Sequence, residues 1–182
     1  MNKFNLIKTE RLLIRTLNMN DKDYFLKYRS LPEIYKYQTW KPKDINEIKH
    51  FICKNVAAEL NTANTWLQLA ICLDDGQFIG DFGIHFLNDN FQVEIGITIS
   101  PDYQDNGYAI EAARAVISYL FYDLKKHRVT ASVDPDNKKS ISLLEKLGLR
   151  REAHFIKSFR IEDIWYDDCI YAILEDEWDN IV

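Results

Sequence analysis

The sequence predicts a mixed α+β fold: a mostly antiparallel central sheet of six to seven strands, flanking helices and one βαβ crossover. Three observations carry this. Segments 65–73, 77–86 and 91–99 are β-branched or aromatic and are separated only by Asp74-Asp75-Gly76 and Asn88-Asp89-Asn90, the turn chemistry of an antiparallel meander. A strand, helix, strand, helix passage then runs to about residue 147, which requires at least one parallel crossover. Finally, 182 residues, 47% of them hydrophobic, can bury one sizeable core and leave little room for a second, so residues 1–182 are read as a single domain.

The elements follow in order. Leu12 to Leu17 is a short apolar run suited to a strand, and Asn20 and Asp21 offer a cap to a helix through Tyr24, Phe25 and Tyr28. Pro32 opens another short turn or helix. Asp44 with Glu47 has the form of a capping box, and Ile45, Ile48, Ile52, Val56 and Leu60 follow at helical spacing. After the meander comes an amphipathic helix over about 107–122, whose apolar face is Ala109, Ala112, Ala113, Val116, Ile117, Leu120 and Phe121. A strand at 128–133 leads to a helix over 138–147 that Asn137 can cap and Gly148 can end. Strands at 155–161 and 169–174 close the chain. There is no internal repeat, linker or low-complexity segment.

Bulk properties exclude some partners. A formal charge of −5 argues against a phosphate-backbone surface and hence against nucleic acid. Cys53, Cys72 and Cys169 are far apart, show no metal-ligand spacing with histidine, and read as reduced, packed thiols; no metal is expected. No apolar run reaches the length of a signal peptide or a membrane span, so a cytoplasmic protein is expected, with no membrane partner.

The informative stretch is Gln104-Asp105-Asn106-Gly107-Tyr108-Ala109, between a strand and the amphipathic helix. A loop there points unpaired N–H groups at one place, and the helix dipole adds partial positive charge, so a phosphate can bind without a basic side chain. Gly107 permits close backbone approach and Ala109 is small for the same reason. Alone, a glycine at a strand-to-helix turn is ordinary turn chemistry.

The wider context is more specific. Glu94-Ile95-Gly96, Gln104-x-x-Gly107-x-Ala109-x-Glu111-Ala112, Val133-Asp134-Pro135-x-Asn137-x-x-Ser140 and Leu147-Gly148-Leu149 occur in that order. With Thr9-Glu10-Arg11-Leu12, Trp165-x-Asp167-x-x-x-Tyr171-Ala172 and Glu177-Trp178, they make the chain resemble the GNAT acetyltransferase superfamily over nearly its whole length. The branch it is most similar to is the ribosomal-protein N-acetyltransferases.

The resemblance implies a sheet splayed between the strand ending near Ile99 and the strand 128–133, with acetyl-CoA in the V-shaped gap. Main-chain groups of Ile97 and Ile99 would face the pantetheine and thioester. The loop from Gln104 through Asn106, Gly107, Tyr108 and Ala109 would hold the pyrophosphate. Asn137 would reach the pantetheine, with Ser140 nearby; a plain N-cap is the competing reading of Asn137. The acceptor would be a primary amine, first a protein α-amine such as that of a ribosomal protein, alternatively a polyamine, amino acid or aminoglycoside. A non-catalytic acyl-CoA-binding module is the further alternative. Members of this branch often form homodimers, and the sequence leaves the assembly open.

Such chemistry must remove a proton from an ammonium, stabilise an oxyanion and release a thiolate. A backbone N–H near Ile97 suits the oxyanion. Glu94, on the strand beside the thioester, is the candidate base; a salt-bridged strand residue is the competing reading, and His85 on the preceding strand could also serve. Many superfamily members carry a tyrosine acid seven residues after the motif asparagine, but this chain has Leu144 there. Ser140, Ser142 or a water would then protonate the thiolate, whose ordinary pKa near 8.5 makes it a good leaving group. Tyr35, Tyr37, Trp40 and Trp165 are expected mostly in the core, with 35–40, flanked by prolines, as an alternative lid over the acceptor cleft.

Overall fold

The computed structural model describes residues 4–38, 40–56, 59–161 and 163–181. Its eight strands are β1 (Ile7–Lys8), β2 (Leu12–Thr16), β3 (Thr65–Leu73), β4 (Phe78–Phe86), β5 (Gln92–Ile99), β6 (Arg128–Val133), β7 (Arg150–Ile161) and β8 (Ile164–Leu174). The helices are α1 (Lys22–Arg29), α2 (Pro32–Tyr35), α3 (Ile45–Val56), α4 (Tyr108–Tyr122), α5 (Lys138–Lys146) and α6 (Glu175–Trp178). The strands form one sheet in the order β1-β2-β3-β4-β5-β6-β8-β7. Every pairing is antiparallel except β5 with β6, which α4 connects as the expected crossover.

That parallel pairing is short. Gln92, Val93 and Glu94 face Arg128, Val129 and Thr130. Beyond them Ile95–Ile99 and Ala131–Val133 run on as strand without facing each other, so the sheet opens into a V.

Strand periodicity sorts side chains to two faces. One face carries Leu69, Phe82, Ile84 and Ile95 and is covered by α4 through Ala113, Val116, Ile117, Leu120 and Phe121. Each large side chain buried there contributes about 1.5–3 kcal/mol. On the other face α1 and α3 pack Phe25, Tyr28, Ile48 and Ile52 against Ala70, Cys72 and Phe78. That cover lies over β3 and β4, and the same face of β5, bearing Glu94 and Gly96, borders an open cleft.

Local signals act much as the sequence predicts. Asp44 Oδ1 accepts from the Asn46 and Glu47 amides at 2.7 and 3.0 Å, while Glu47 Oε2 accepts from the Lys43 amide at 2.9 Å. Gly148, at φ +84°, ends α5, and the Leu149 amide returns to the Leu144 carbonyl at 3.0 Å.

Several expectations need correction. The cap before α1 belongs to Asn18, which closes a 3₁₀ turn at Met19–Asp21; Asp21 is drawn away to Arg15 by hydrogen bonds of 2.7 and 2.6 Å. Cys53 is exposed rather than packed, because α3 turns Ile48, Ile52 and Asn55 inward. Strands β7 and β8 begin at Arg150 and Ile164, earlier than expected, and Trp165 on their hairpin is 55% exposed rather than core. Strand β1 and helix α6 were not anticipated, although α6 buries Trp178 completely and its Nε1–H donates to Ser118 Oγ at 3.1 Å.

A polar network holds α1 to the sheet. Asp81, fully buried on β4, accepts from the Tyr28 hydroxyl, from Arg29 Nε at 3.0 Å and Nη2, and from Gln68 Nε2. Burial raises the Tyr28 phenol well above its usual range, which keeps it a donor. Burial opposes the charge on Arg29, but Asp81 more than offsets it, and the guanidinium pKa rises. Arg29→Met would leave a buried carboxylate without its counter-charge, a loss of about 3–5 kcal/mol. Urea unfolding should show this as a lower midpoint at unchanged m-value; a midpoint within error of wild type would refute the assignment.

Candidate active site

Two adjoining clefts of about 1050 and 710 Å³ border the V between β5 and β6. Both are lined by Ile97 and Thr98 on β5 and by Asn137, Ser140 and Leu143 at α5. The smaller runs to the loop before α4; the larger spreads over the open face of the sheet. A molecule occupying both would pass between the diverging strands.

At the smaller end, the 104–109 loop is fixed by its own side chains. Gln104 Nε2 donates to the Ile99 carbonyl at 3.0 Å and Asn106 Nδ2 to the Gln104 carbonyl at 2.9 Å. Asp105 and Gly107 both take positive φ, +62° and +80°. The amides of Asn106, Gly107, Tyr108, Ala109 and Ile110 then have no acceptor among the described residues, and α4 has no side-chain cap. Such a cradle of free amides at a helix start is the arrangement an anion site requires. Two expected groups are engaged elsewhere: the Gln104 amide donates to the Pro101 carbonyl at 3.2 Å, and the Ile99 carbonyl holds Gln104. Lys139 on α5 reaches Asp105 Oδ2 at 2.9 Å across the mouth.

Behind the loop sits an ion pair. Glu111 accepts from the Thr9 hydroxyl at 2.6 Å, the Arg11 amide at 2.9 Å and Arg11 Nε at 2.7 Å. Partial burial pushes the Glu111 carboxyl up, but these donors outweigh it and hold the pKa below the usual range.

The main chain of β5 is oriented toward the gap by period. Val93 O accepts from Thr130 Oγ1 on β6 at 3.1 Å, so Ile95, Ile97 and Ile99 direct their main chain to that same edge. Past Glu94 this edge has no ladder partner among the described residues, which leaves Ile97 available where the thioester was expected.

On the open face, cross-strand register aligns Trp66, His85, Glu94 and Thr130. Trp66 and His85 stack at 4.7 Å and 5°. His85 Nδ1 lies 3.6 Å from Glu94 Oε2 and is a buried nitrogen without a hydrogen bond among the described residues. The next row holds Gln68, Gly83 and Gly96, and a Cβ on Gly96 would meet nothing within 4 Å. Glu94 therefore stands beside a trough floored by glycine.

The remaining residues distribute as follows. Asn137 caps α5, its Oδ1 accepting from the Ser140 amide at 3.2 Å, and it still lines both clefts. Ser140 lines both as well, whereas exposed Ser142 lines only the smaller cleft, away from Glu94. Leu144 is buried in the larger cleft's wall. Of the aromatic residues, Tyr37 and Trp40 line the larger cleft and Tyr35 and Trp165 do not. The Tyr37 hydroxyl donates to the Asp136 carbonyl at 3.3 Å, spanning the channel, and Arg29 Nη1 donates to Gln38 Oε1 at 2.9 Å. Sequence reasoning missed Arg29, Gln68 and Asp81 beneath this cleft, because only the tertiary fold joins them.

Comparison with known proteins agrees with this geometry. Residues 11–150 match the acetyltransferase (GNAT) domain family. An uncharacterized N-acetyltransferase of Bacillus subtilis, YnaD, is 34% identical over 94% of this chain and 98% of its own. The [ribosomal protein uS5]-alanine N-acetyltransferase of Escherichia coli is 24% identical over 94% and 92%. A crystal structure of a GNAT-family acetyltransferase from Bacillus anthracis superposes with a TM-score of 0.86 at 32% identity, covering 94% and 99%. Spermidine N-acetyltransferase from Vibrio cholerae, in complex with CoA and spermine, superposes at 0.82 with 21% identity over 94% and 100%. The chain belongs to the GNAT acetyltransferase family, whose acetyl donor is acetyl-CoA. The open amides at 106–110 fit the diphosphate of that donor.

A side chain at Gly107 would have to adopt φ +80°, and its Cβ would lie 3.3 Å from the Arg11 guanidinium. Gly107→Val is expected to remain folded and to lose measurable acetyl-CoA binding by calorimetry. Unchanged affinity in the folded variant would defeat the loop assignment.

Proposed function

We propose that this acetyltransferase moves the acetyl group of acetyl-CoA to the N-terminal α-amine of a protein, by direct attack in a ternary complex. The observation that carries the reading is the place of Glu94: it is the last residue of β5 paired to β6, beside the free main-chain edge and the open trough at Gly96. The amine would enter over that trough. Glu94 would take its proton, directly or through a water, as nitrogen attacks the thioester carbonyl. The oxyanion would meet the Ile97 N–H, a preorganised donor on the unpaired edge. Collapse would break the C–S bond, with Ser140 or a water protonating the departing thiolate; its low basicity makes this the least demanding step.

The choice of an α-amine rests on proton affinity. Its pKa is near 8 against about 10.4 for a lysine side chain, so freeing it near neutrality is easier by about 2.5 units, or ~3 kcal/mol. A site with Leu144 where a tyrosine acid could stand, and a carboxylate as base, suits the easier amine. The relative named for an alanine of a ribosomal protein supports the same reading. A polyamine is the second reading, favoured by Asp134, Asp167 and Asp168 around the larger cleft, whose charges would suit several ammonium groups.

Glu94→Gln should lower kcat/KM about a hundredfold, leave acetyl-CoA affinity nearly unchanged, and recover in part as pH rises and the amine loses its own proton. The measurement is kcat/KM against pH for both proteins, with a free-N-terminus peptide, its N-blocked lysine-containing twin, and spermidine. A Glu94→Gln profile superimposable on wild type removes Glu94 from the mechanism. Equal rates on the twin peptides remove the α-amine preference, and a dominant rate on spermidine selects the second reading.

A further inference from the structure

Arg11, on the turn before β2, touches the cradle loop from behind. Its Nη1 donates to the Asn106 carbonyl at 3.0 Å, its guanidinium lies 4.7 Å from the centre of the Tyr108 ring, and Nη2 is 2.6 Å from Glu111 Oε2. In a planar trans peptide, C=O and N–H point in opposite directions. Fixing the Asn106 carbonyl toward Arg11 therefore aims the Gly107 N–H the other way, and Gly107 lines the smaller cleft.

Glu111 adds a second consideration. It stands in the first turn of α4, beside the amides that would face a diphosphate. An unpaired carboxylate there would repel the ligand and spend the helix dipole on itself. Thr9 and the Arg11 amide hold it in place, and the Arg11 guanidinium cancels its charge. The same guanidinium thus does two things, orienting one amide and neutralising one carboxylate.

We infer that Arg11 is a positioning residue for acetyl-CoA: clasped by Glu111, it aims the Gly107 amide into the cradle and screens the Glu111 charge from the diphosphate. The inference rests on the cradle being the acetyl-CoA site. It assigns to the N-terminal segment Thr9 to Leu12 a role in donor binding, remote from the acceptor cleft.

Calorimetry with CoA and acetyl-CoA, at low and high salt, tests it on Arg11→Ala, Glu111→Gln and the double variant. Arg11→Ala should weaken binding about tenfold or more, the scale of a charge-assisted hydrogen bond. The double variant should bind more tightly than Arg11→Ala, because the unscreened carboxylate is gone. With saturating acetyl-CoA, kcat and the acceptor KM should stay at wild-type values while the acetyl-CoA KM rises. Wild-type affinity in Arg11→Ala, a double variant no tighter than the single, or kcat falling at saturation would each overturn the proposal. Melting temperatures are measured alongside; if Arg11→Ala does not fold, Arg11→Gln with and without Glu111→Gln makes the same comparison. Failure of the underlying reading looks different, since Gly107→Val would then bind acetyl-CoA normally.

Discussion

The parallel ladder between β5 and β6 lasts for three residue pairs and then stops. Much of the proposed mechanism depends on that interruption. A continuous sheet would satisfy the edge of β5 with hydrogen bonds and fill the gap. Divergence after Glu94 and Thr130 instead leaves an edge of β5, a strand in the interior of the sheet, facing a channel. Unpaired backbone groups are costly when buried, so such an edge persists where a ligand or water can reach it. The crossover α4 makes the divergence possible, since its packing on the opposite face holds the two halves together.

The site then divides its electrostatic work between the ends of the channel. At the proposed donor end the loop before α4 offers amides and a helix terminus, which supply directional donors without a long flexible cation. At the proposed acceptor end the groups are side chains: Glu94 beside His85, above Asp81, Arg29 and Gln68 joined by hydrogen bonds. Through Arg29 and Gln38 that buried network also contacts the segment whose Tyr37 hydroxyl reaches the Asp136 carbonyl. One guanidinium thus joins the buried network to the segment at Gln38.

Much of this was legible in the sequence wherever the signal was local. Gly148 and Asn137 bound α5 as their chemistry requires, Asp44 and Glu47 start α3, and the strands of the meander match their periodicity to within a residue. In the hexapeptide before α4 the amides from Asn106 to Ala109 lack a backbone acceptor among the described residues, as expected, whereas that of Gln104 is engaged. What was hidden depends on pairs distant in the chain. Asp81 meets Tyr28 across 53 positions and Glu111 meets Thr9 across 102, and no pattern around any of these residues announces its partner. Strands β7 and β8 exceed their predicted lengths because the edge strand β7 is exposed along most of its length, so apolar alternation does not mark its start. The engagement of the Gln104 amide and the Ile99 carbonyl likewise depends on the 3₁₀ turn at Pro101–Tyr103, which short-range propensity does not distinguish from an open loop.

The central claim is that the unpaired edge of β5 and the start of α4 form one donor site. Amide hydrogen exchange, followed by NMR with and without saturating acetyl-CoA, tests it most directly. The account predicts slowed exchange at Ile97 and at Asn106 through Ile110, with little change in β2 and β3. Acetyl-CoA binding that leaves those amides exchanging at their free rates would contradict it.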